Sequence, residues 1–153
     1  MKVLFRAAAA CAAMAVAVPA FAQDAPWAVL RDTVSQIDGK RTFIVTARRG
    51  DLAISVGCDL GGPIVGVSFQ RPALEASPRH KGAYRAGQSA PVSVTWDGGD
   101  ATGGALFDSE AKAAMAVMMS APVWHVRIGH EERSVDLHGL APFERRVKEA
   151  CGL

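Results

Sequence analysis

The stretch DLAISVGC, residues 51–58, alternates large apolar side chains with small ones. Successive side chains of a β-strand point to opposite faces of the sheet, so this alternation predicts a strand with one apolar face. The apolar face carries Leu52, Ile54, Val56 and Cys58. The cysteine therefore points into the predicted core together with three aliphatic side chains.

Strand patterns also occur on both sides of this stretch, in RTFIVTAR (41–48), PIVGVSF (63–69) and PVSVTWD (91–97). These segments are rich in β-branched and aromatic residues, which is typical of strands. The sequence RRGD at 48–51 supplies a turn between the first of them and the strand at 51–58. The middle of the chain is therefore predicted to form a sheet.

The segment PVWHVRIGHEERSVDLHG, residues 122–139, predicts a β-hairpin whose turn contains His130 and Glu131. In this register His125 lies opposite Asp136. One face of the hairpin is apolar and is formed by Trp124, Val126, Val135 and Leu137. A strand that is buried on one face requires such a pattern, because a shift of one residue would turn these side chains to water.

A first helix is predicted in FDSEAKAAMAVMMSAP, residues 107–122. Asp108 or Ser109 is expected to cap its N-terminus, and Pro122 is expected to end it. Its buried stripe is predicted to consist of Ala111, Met115, Met118 and Met119. A methionine-rich face can also form an adaptable binding groove, but filling irregular gaps in a core is the favoured role here.

A second helix is predicted to begin near Leu140, with Pro142 in its first turn. The apolar residues at helical spacing are Leu140, Phe143, Val147 and Cys151. Cys151 therefore points inward, toward the strand face that carries Cys58.

Residues 1–22 have the pattern of a signal peptide, with cleavage expected between Ala22 and Gln23. Lys2 and Arg6 precede an apolar run at 7–18, which is too short to span a bilayer, since spanning takes about 20 residues. The full chain has 17 basic and 15 acidic residues, so loss of those two cations would leave a neutral domain. A neutral domain has no general attraction to nucleic acid or to anionic membranes.

Cys11 would leave with the signal peptide, so Cys58 and Cys151 remain as an even pair in an exported chain. Such a pair predicts a disulfide bond. The sequence therefore predicts one α+β domain over residues 23–153. It is mainly an antiparallel β-sandwich with two helices, and the C-terminal helix is disulfide-linked to the sheet. No membrane span is expected after cleavage.

Residues 71–90 are polar and contain proline and glycine without a clear period, which predicts a long exposed loop. Four side chains in this segment are candidates for binding a partner, namely Arg79, Lys81, Tyr84 and Arg85. Tyrosine and arginine are residue types that often dominate the energy of protein interfaces. The alternative is a solvated loop with no partner.

Three features of the sequence are weak candidates for a chemical site. His125 opposite Asp136, with Ser134 nearby, resembles part of a catalytic triad, but no serine has a nucleophile-elbow pattern. Of the four histidines, at 80, 125, 130 and 138, His125 and His138 could approach on one face beside Asp136. A zinc site needs three or four converging ligands, which this spacing does not ensure, so scattered surface histidines are the favoured interpretation. WDGGDATGG at 96–104 lacks the spacing of a calcium or phosphate loop and predicts a flexible turn. No catalytic, metal or cofactor-binding residue is therefore predicted.

The order of short motifs resembles that of a group of small exported bacterial proteins. Trp27 is followed by SQID (35–38), by LAISVGC (52–58) and by VSVTWD (92–97). The later motifs are MAVMMSAPVWHVRI (115–128) and VDLHGLAPFERRVKEAC (135–151), of which the DLHGL…C unit is the most specific. In this order the chain resembles the VasI/TagO-type proteins associated with type VI secretion. It resembles more loosely the invasion-associated locus B (IalB) proteins of alphaproteobacteria.

The resemblance implies a β-rich periplasmic or secreted protein of a Gram-negative bacterium, with an accessory or host-interaction role and no catalytic residues. We therefore expect a non-enzymatic protein that binds another envelope or secretion-system component. The alternative function is an envelope hydrolase, or an inhibitor of one, that uses the face with His125 and Asp136.

Overall fold

The computed structural model describes residues 24–98 and 101–153. The predicted signal peptide lies outside these residues. The strands within them are β1 (Ala25–Val34), β2 (Arg41–Arg49), β3 (Leu52–Asp59), β4 (Gly62–Phe69), β5 (Arg79–Ala86), β6 (Val92–Asp97), β7 (Gly103–Phe107), β8 (Val123–Ile128) and β9 (Glu131–Asp136). The helices are α1 (Asp108–Ser120) and α2 (Glu144–Cys151), and a short 3₁₀ turn at Ala141–Phe143 precedes α2.

The strands form one sheet in the order β1-β2-β3-β4-β7-β6-β5-β8-β9, and each neighbouring pair is antiparallel. The pairing between β6 and β7 consists of a single bridge, Asp97 with Ala105. This bridge divides the sheet into a first half (β1 to β4 and β7) and a second half (β5, β6, β8 and β9). The predicted mainly antiparallel α+β fold with two helices is confirmed.

The two halves and the helices enclose one core. The apolar face predicted for β3 is confirmed, because its four side chains are all fully buried. The second half contributes Trp96 and Trp124. Their rings pack edge to face, with the ring centroids 6.3 Å apart. Helix α1 adds Ala111, Ala114, Met115 and Met118, while Met119 is half-buried. The methionines therefore fill the core, as the sequence predicts.

The sheet curls so that its last strand returns to the turn between β2 and β3. Arg133 on β9 forms an ion pair with Asp51 in that turn, at 3.0 Å. The guanidinium of Arg49 donates to the carbonyl oxygen of Asp136 at 3.0 Å, and to that of His138 at 3.2 Å. Arg49 also donates to the carbonyl oxygen of Ala25 on β1 at 2.7 Å. These contacts therefore join the end of β9 to the first half of the sheet.

The ion pair between Asp51 and Arg133 gives a testable dependence of stability on pH. The hydrogen bond from Arg133 is the main cause that lowers the pKa of Asp51. Because the folded pKa lies below the unfolded one, this stabilisation is present above the unfolded value, about pH 3.9. It is lost as the pH falls through the folded pKa. We expect the stability difference between the native protein and Asp51→Asn to shrink below about pH 4, as measured by urea unfolding from pH 3 to 7. A difference that does not change over this range would contradict the assignment.

Helix α2 packs on β2 and β3 and is joined to β3 by the disulfide between Cys58 and Cys151. Their Cα atoms are 5.4 Å apart, which is an ordinary separation for a disulfide. Gly152 ends the helix in the left-handed conformation that glycine adopts without steric cost. The predicted disulfide is confirmed. Such bonds persist in oxidising compartments, so this one indicates an extracytoplasmic location.

Several sequence predictions of local structure are wrong. Helix α1 starts at Asp108 and is preceded by Phe107 in extended conformation, without a side-chain cap, so neither Asp108 nor Ser109 caps it. The glycine-rich stretch after β6 is not only a turn, because Gly103 and Gly104 already belong to β7. A side chain at Gly103 would collide with the backbone of β4, since an added Cβ would lie 2.0 Å from the carbonyl oxygen of Val67. Glycine is needed there for close strand packing.

Candidate functional site

Part of the predicted loop at 71–90 is a strand in the middle of the second half. Strand β5 pairs with β6 on one side and with β8 on the other. Its inward side chains are His80 and Tyr84, with Gly82 between them. The sequence did not predict this strand, because histidine and glycine occupy inward positions at which large apolar residues indicate a strand. The loop prediction is therefore wrong for Arg79–Ala86.

The four predicted partner-binding residues lie on two different faces of β5. Tyr84 is only 2% exposed and packs against Trp124, with ring centroids 6.1 Å apart. Burial raises the pKa of its phenol, and the nearby charge of Glu110 raises it further. Tyr84 is therefore a neutral core residue and not an interface anchor. The cations Arg79, Lys81 and Arg85 remain on the opposite face, where the first two are exposed and Arg85 is half-buried.

The predicted register of the β8–β9 hairpin is wrong by two residues. Its turn is Gly129–His130, and Gly129 has a left-handed backbone with φ of 58°. Tight two-residue turns favour glycine for this reason. The apolar face is preserved, but Trp124 now pairs with Val135 instead of Leu137. A shift of two residues keeps every side chain on its face, so alternation alone could not distinguish the two registers.

The corrected register gives His125 a different partner. His125 lies opposite Ser134, and its Nδ1 atom is 2.8 Å from the Ser134 hydroxyl oxygen. Asp136 lies opposite Val123 instead, and its carboxylate accepts a hydrogen bond from the backbone N–H of His138 at 2.8 Å. The predicted pairing of His125 with Asp136 is therefore absent from the described residues.

These strands create one continuous polar surface, the outer face of the second half. It consists of the outward side chains of β6, β5, β8 and β9. The row across its middle contains Ser93, Ala83, Arg127 and Glu132 in adjacent register. The next row contains Arg85, His125 and Ser134. The face thus combines the predicted cations of β5 with the predicted histidine of β8, although Arg85 and His125 are far apart in the sequence.

Three cations on this face have no ion-pair partner among the residues that the structure describes, namely Lys81, Arg85 and Arg127. Arg79 differs from them because it pairs with Asp97 at 3.2 Å. Arg127 was not a predicted site residue. Arg127 belongs to this surface because β8 pairs with β5, which places Arg127 opposite Ala83.

A depression of about 780 Å³ lies beside these cations. Its polar lining consists of Lys81, Ser93, Thr95, Glu110, Arg127, His130 and Glu132. Two carboxylates therefore lie beside two cations in this depression. Arg85 lines a second, smaller depression of about 170 Å³ together with Ala83, His125 and Arg127. Arg127 borders both depressions. Cations in this arrangement can bind carboxylate or other anionic groups.

The described histidines do not form a metal site. No group of three or more His, Cys, Asp and Glu side chains within residues 24–98 and 101–153 is placed to hold a metal ion. His80 is 6% exposed and lies in the interior, unlike the scattered surface histidines that the sequence predicts.

Neither helix in the described part of the chain combines the length and apolar character needed to cross a membrane. No protein-family model matches the chain, and no curated protein or solved structure shows significant similarity to it.

Proposed function

We propose that this chain is a non-enzymatic exported protein that binds another envelope component through the outer face of its second half. The observation that carries this proposal is the group of unpaired cations on adjacent strands, Lys81, Arg85 and Arg127. Cations that are held in place by a sheet and lack intramolecular partners favour association with an acidic surface. The exposed position of Lys81 and Arg127 leaves this face open to a partner.

The proposed location is the periplasm, or the exterior after secretion, of a Gram-negative bacterium. The signal-peptide pattern of residues 1–22 and the disulfide support this location. The motif order that resembles VasI/TagO-type and IalB-like proteins supports an accessory role, either in a secretion system or in contact with a host. The partner in this proposal is a protein and not a nucleic acid.

Charge reversal on the outer face tests the proposal. A photocrosslinking amino acid at the exposed position of Thr95 should capture one dominant partner in the producing cells. We expect Lys81→Glu with Arg85→Glu to reduce this crosslink at least about tenfold, which corresponds to about 1.4 kcal/mol of binding free energy. The reduction follows from replacing attraction by repulsion across the interface.

Lys112→Glu provides the matched control, because Lys112 is an exposed cation on α1, away from the outer face. It should leave the crosslink unchanged, and all variants should retain the native melting temperature. If the double variant folds normally and is crosslinked as strongly as the native protein, the proposed binding face is wrong.

A further inference from the structure

The exposed apolar surface of the described residues is concentrated around strand β1. Of the eight large apolar side chains that are exposed, five lie on β1 or on the two turns beside its end. These five are Val29, Leu30, Val34, Ile37 and Leu60. Leu30 is 61% exposed and Ile37 is 98% exposed. Large exposed apolar surfaces on soluble proteins often mark sites that contact a partner.

Strand β1 is also a free edge of the sheet. It has ten residues, and its backbone pairs with β2 on one side only. The other edge, β9, is protected in two ways. It is rich in charged residues, and the side chain of Arg49 binds the carbonyl oxygen of Asp136. The same guanidinium also binds the carbonyl oxygen of Ala25, at the start of β1, at 2.7 Å, so this contact covers the first residue of β1 as well.

Native proteins usually shorten, charge or cover their edge strands, because open backbone groups pair readily with other strands. β1 has some of these protections, because it contains Pro26, Arg31 and Asp32 and its pairing with β2 is irregular near Ala28 and Val29. It is nevertheless long, and half of its residues are aliphatic, including the exposed Val29, Leu30 and Val34.

The two turns beside the end of β1 are held in fixed conformations. The Ser35 hydroxyl accepts hydrogen bonds from the backbone N–H groups of Ile37 and Asp38, each at 3.3 Å. The Thr42 hydroxyl accepts one from the N–H of Leu60 at 3.0 Å. Leu60 has a φ of 49°, a conformation that is unfavourable for a bulky side chain. The exposed Ile37 and Leu60 are therefore presented in an ordered state, which lowers the entropy cost of binding.

We propose that β1 binds an extended segment of another protein, which adds a strand to the sheet. The segment would be largely aliphatic and would carry a carboxylate opposite Arg31. Arg31 is exposed and has no ion pair within the described part of the chain. Its neighbour Asp32 is already bound by Arg41 and Arg146, at 2.9 and 2.7 Å. An incoming carboxylate would therefore meet an available cation. Main-chain hydrogen bonds along the edge would provide affinity, and the aliphatic side chains would provide specificity.

The same cation argues against a second copy of this chain as the occupant. Antiparallel pairing of two β1 strands about Arg31 would place the two Arg31 side chains directly opposite each other. Like charges at such positions in a sheet are destabilising. This inference concerns the edge of the first half, so it does not depend on the proposed role of the outer face of the second half.

Hydrogen exchange with two synthetic peptides tests the proposal. The first peptide is Thr-Val-Thr-Val-Glu-Val-Thr-Val, and the second replaces its glutamate with lysine. Binding of the first peptide to the oxidised protein should slow the exchange of amide hydrogens in Ala25–Val34. We expect Leu30→Lys to weaken this binding at least tenfold. We expect Arg31→Glu to reverse the preference, so that the lysine peptide binds more tightly.

Val92→Lys is the control, because Val92 and Val29 have the same exposure of 43% but Val92 lies on β6. It should not affect binding. The proposal is overturned if neither peptide slows exchange in β1, or if Leu30→Lys binds as well as the native protein. A dimer of the native protein that Leu30→Lys abolishes would also overturn it, because the occupant would then be a second copy.

Discussion

Replacement of Cys58 and Cys151 by alanine is expected to lower the free energy of unfolding by about 4–5 kcal/mol. The disulfide spans 93 residues, so it removes a large part of the conformational freedom of the unfolded chain. A typical domain is stable by only about 5–15 kcal/mol, so this loss is a large share of the total. Thermal unfolding should show a decrease of about 10–20 °C in melting temperature.

Reductant provides the control for this effect. It should lower the melting temperature of the native protein to nearly that of the alanine variant and leave the variant itself unchanged. Since Cys58 is fully buried, the variant also loses some packing, and reduction alone separates the two contributions. Equal melting temperatures for the native protein with and without reductant, after mass spectrometry has verified reduction, would contradict this expectation.

Trp96→Ala is expected to destabilise the protein by about 3–5 kcal/mol, the usual cost of truncating a large buried aromatic side chain. The Trp96 ring is fully buried, and its indole N–H donates to the carbonyl oxygen of Arg127 at 3.1 Å. To reach β8 from β6, the indole crosses β5 above Gly82. An added Cβ at Gly82 would lie 2.6 Å from the indole nitrogen, so the glycine is required for this contact.

Comparison with Trp96→Phe separates packing from hydrogen bonding in denaturant unfolding. Phenylalanine retains most of the buried ring and loses the hydrogen bond, so we expect a cost of about 1–3 kcal/mol for this variant. Gly82→Ala should also destabilise by about 1–3 kcal/mol, because the added methyl group overpacks the site. If Trp96→Ala lowers the free energy of unfolding by less than about 1 kcal/mol, the Trp96 indole that spans β5 does not stabilise the core as expected.

The sequence predicted the parts of the fold in which large apolar residues alternate or repeat. Strand β3, the stripe on α1 and the contact between Cys58 and Cys151 all follow from such spacing. Strand β1 was missed because its side chains are exposed on both faces, with only Trp27 buried. Strand β5 was missed because Gly82 and His80 occupy inward positions where an aliphatic residue would have revealed the pattern.

The candidate site was only partly predictable, because residue type can be recognised in the sequence but the pairing of distant strands cannot. Arg79, Lys81 and Arg85 were selected by residue type, and the structure places all three on one face. Tyr84 was selected with them, but it faces the core, as strand alternation requires once β5 is known to be a strand. The association of Arg85 with His125 depends on the pairing of β5 with β8, which are separated by β6, β7 and α1 in the chain. Local patterns contain no information about that pairing.

The strand order has a consequence for the way the chain folds. Strand β7 pairs with β4, although β5 and β6 lie between them in the chain. Ile64 must therefore pair with Phe107, which is more than forty residues further along the sequence. Strands β1 to β4 can form a meander from neighbouring hairpins, but this meander lacks its fifth strand until residues 103–107 arrive. Non-local pairing of this kind slows folding, because the entropy of closing the loop must be lost first. The pairing of β5 with β8 is similarly distant, since Gly82 must meet Ile128. The free edges of β4 and β5 are therefore expected to be the last parts of the sheet to close, and in the newly made chain they would be exposed to other strands for the longest time.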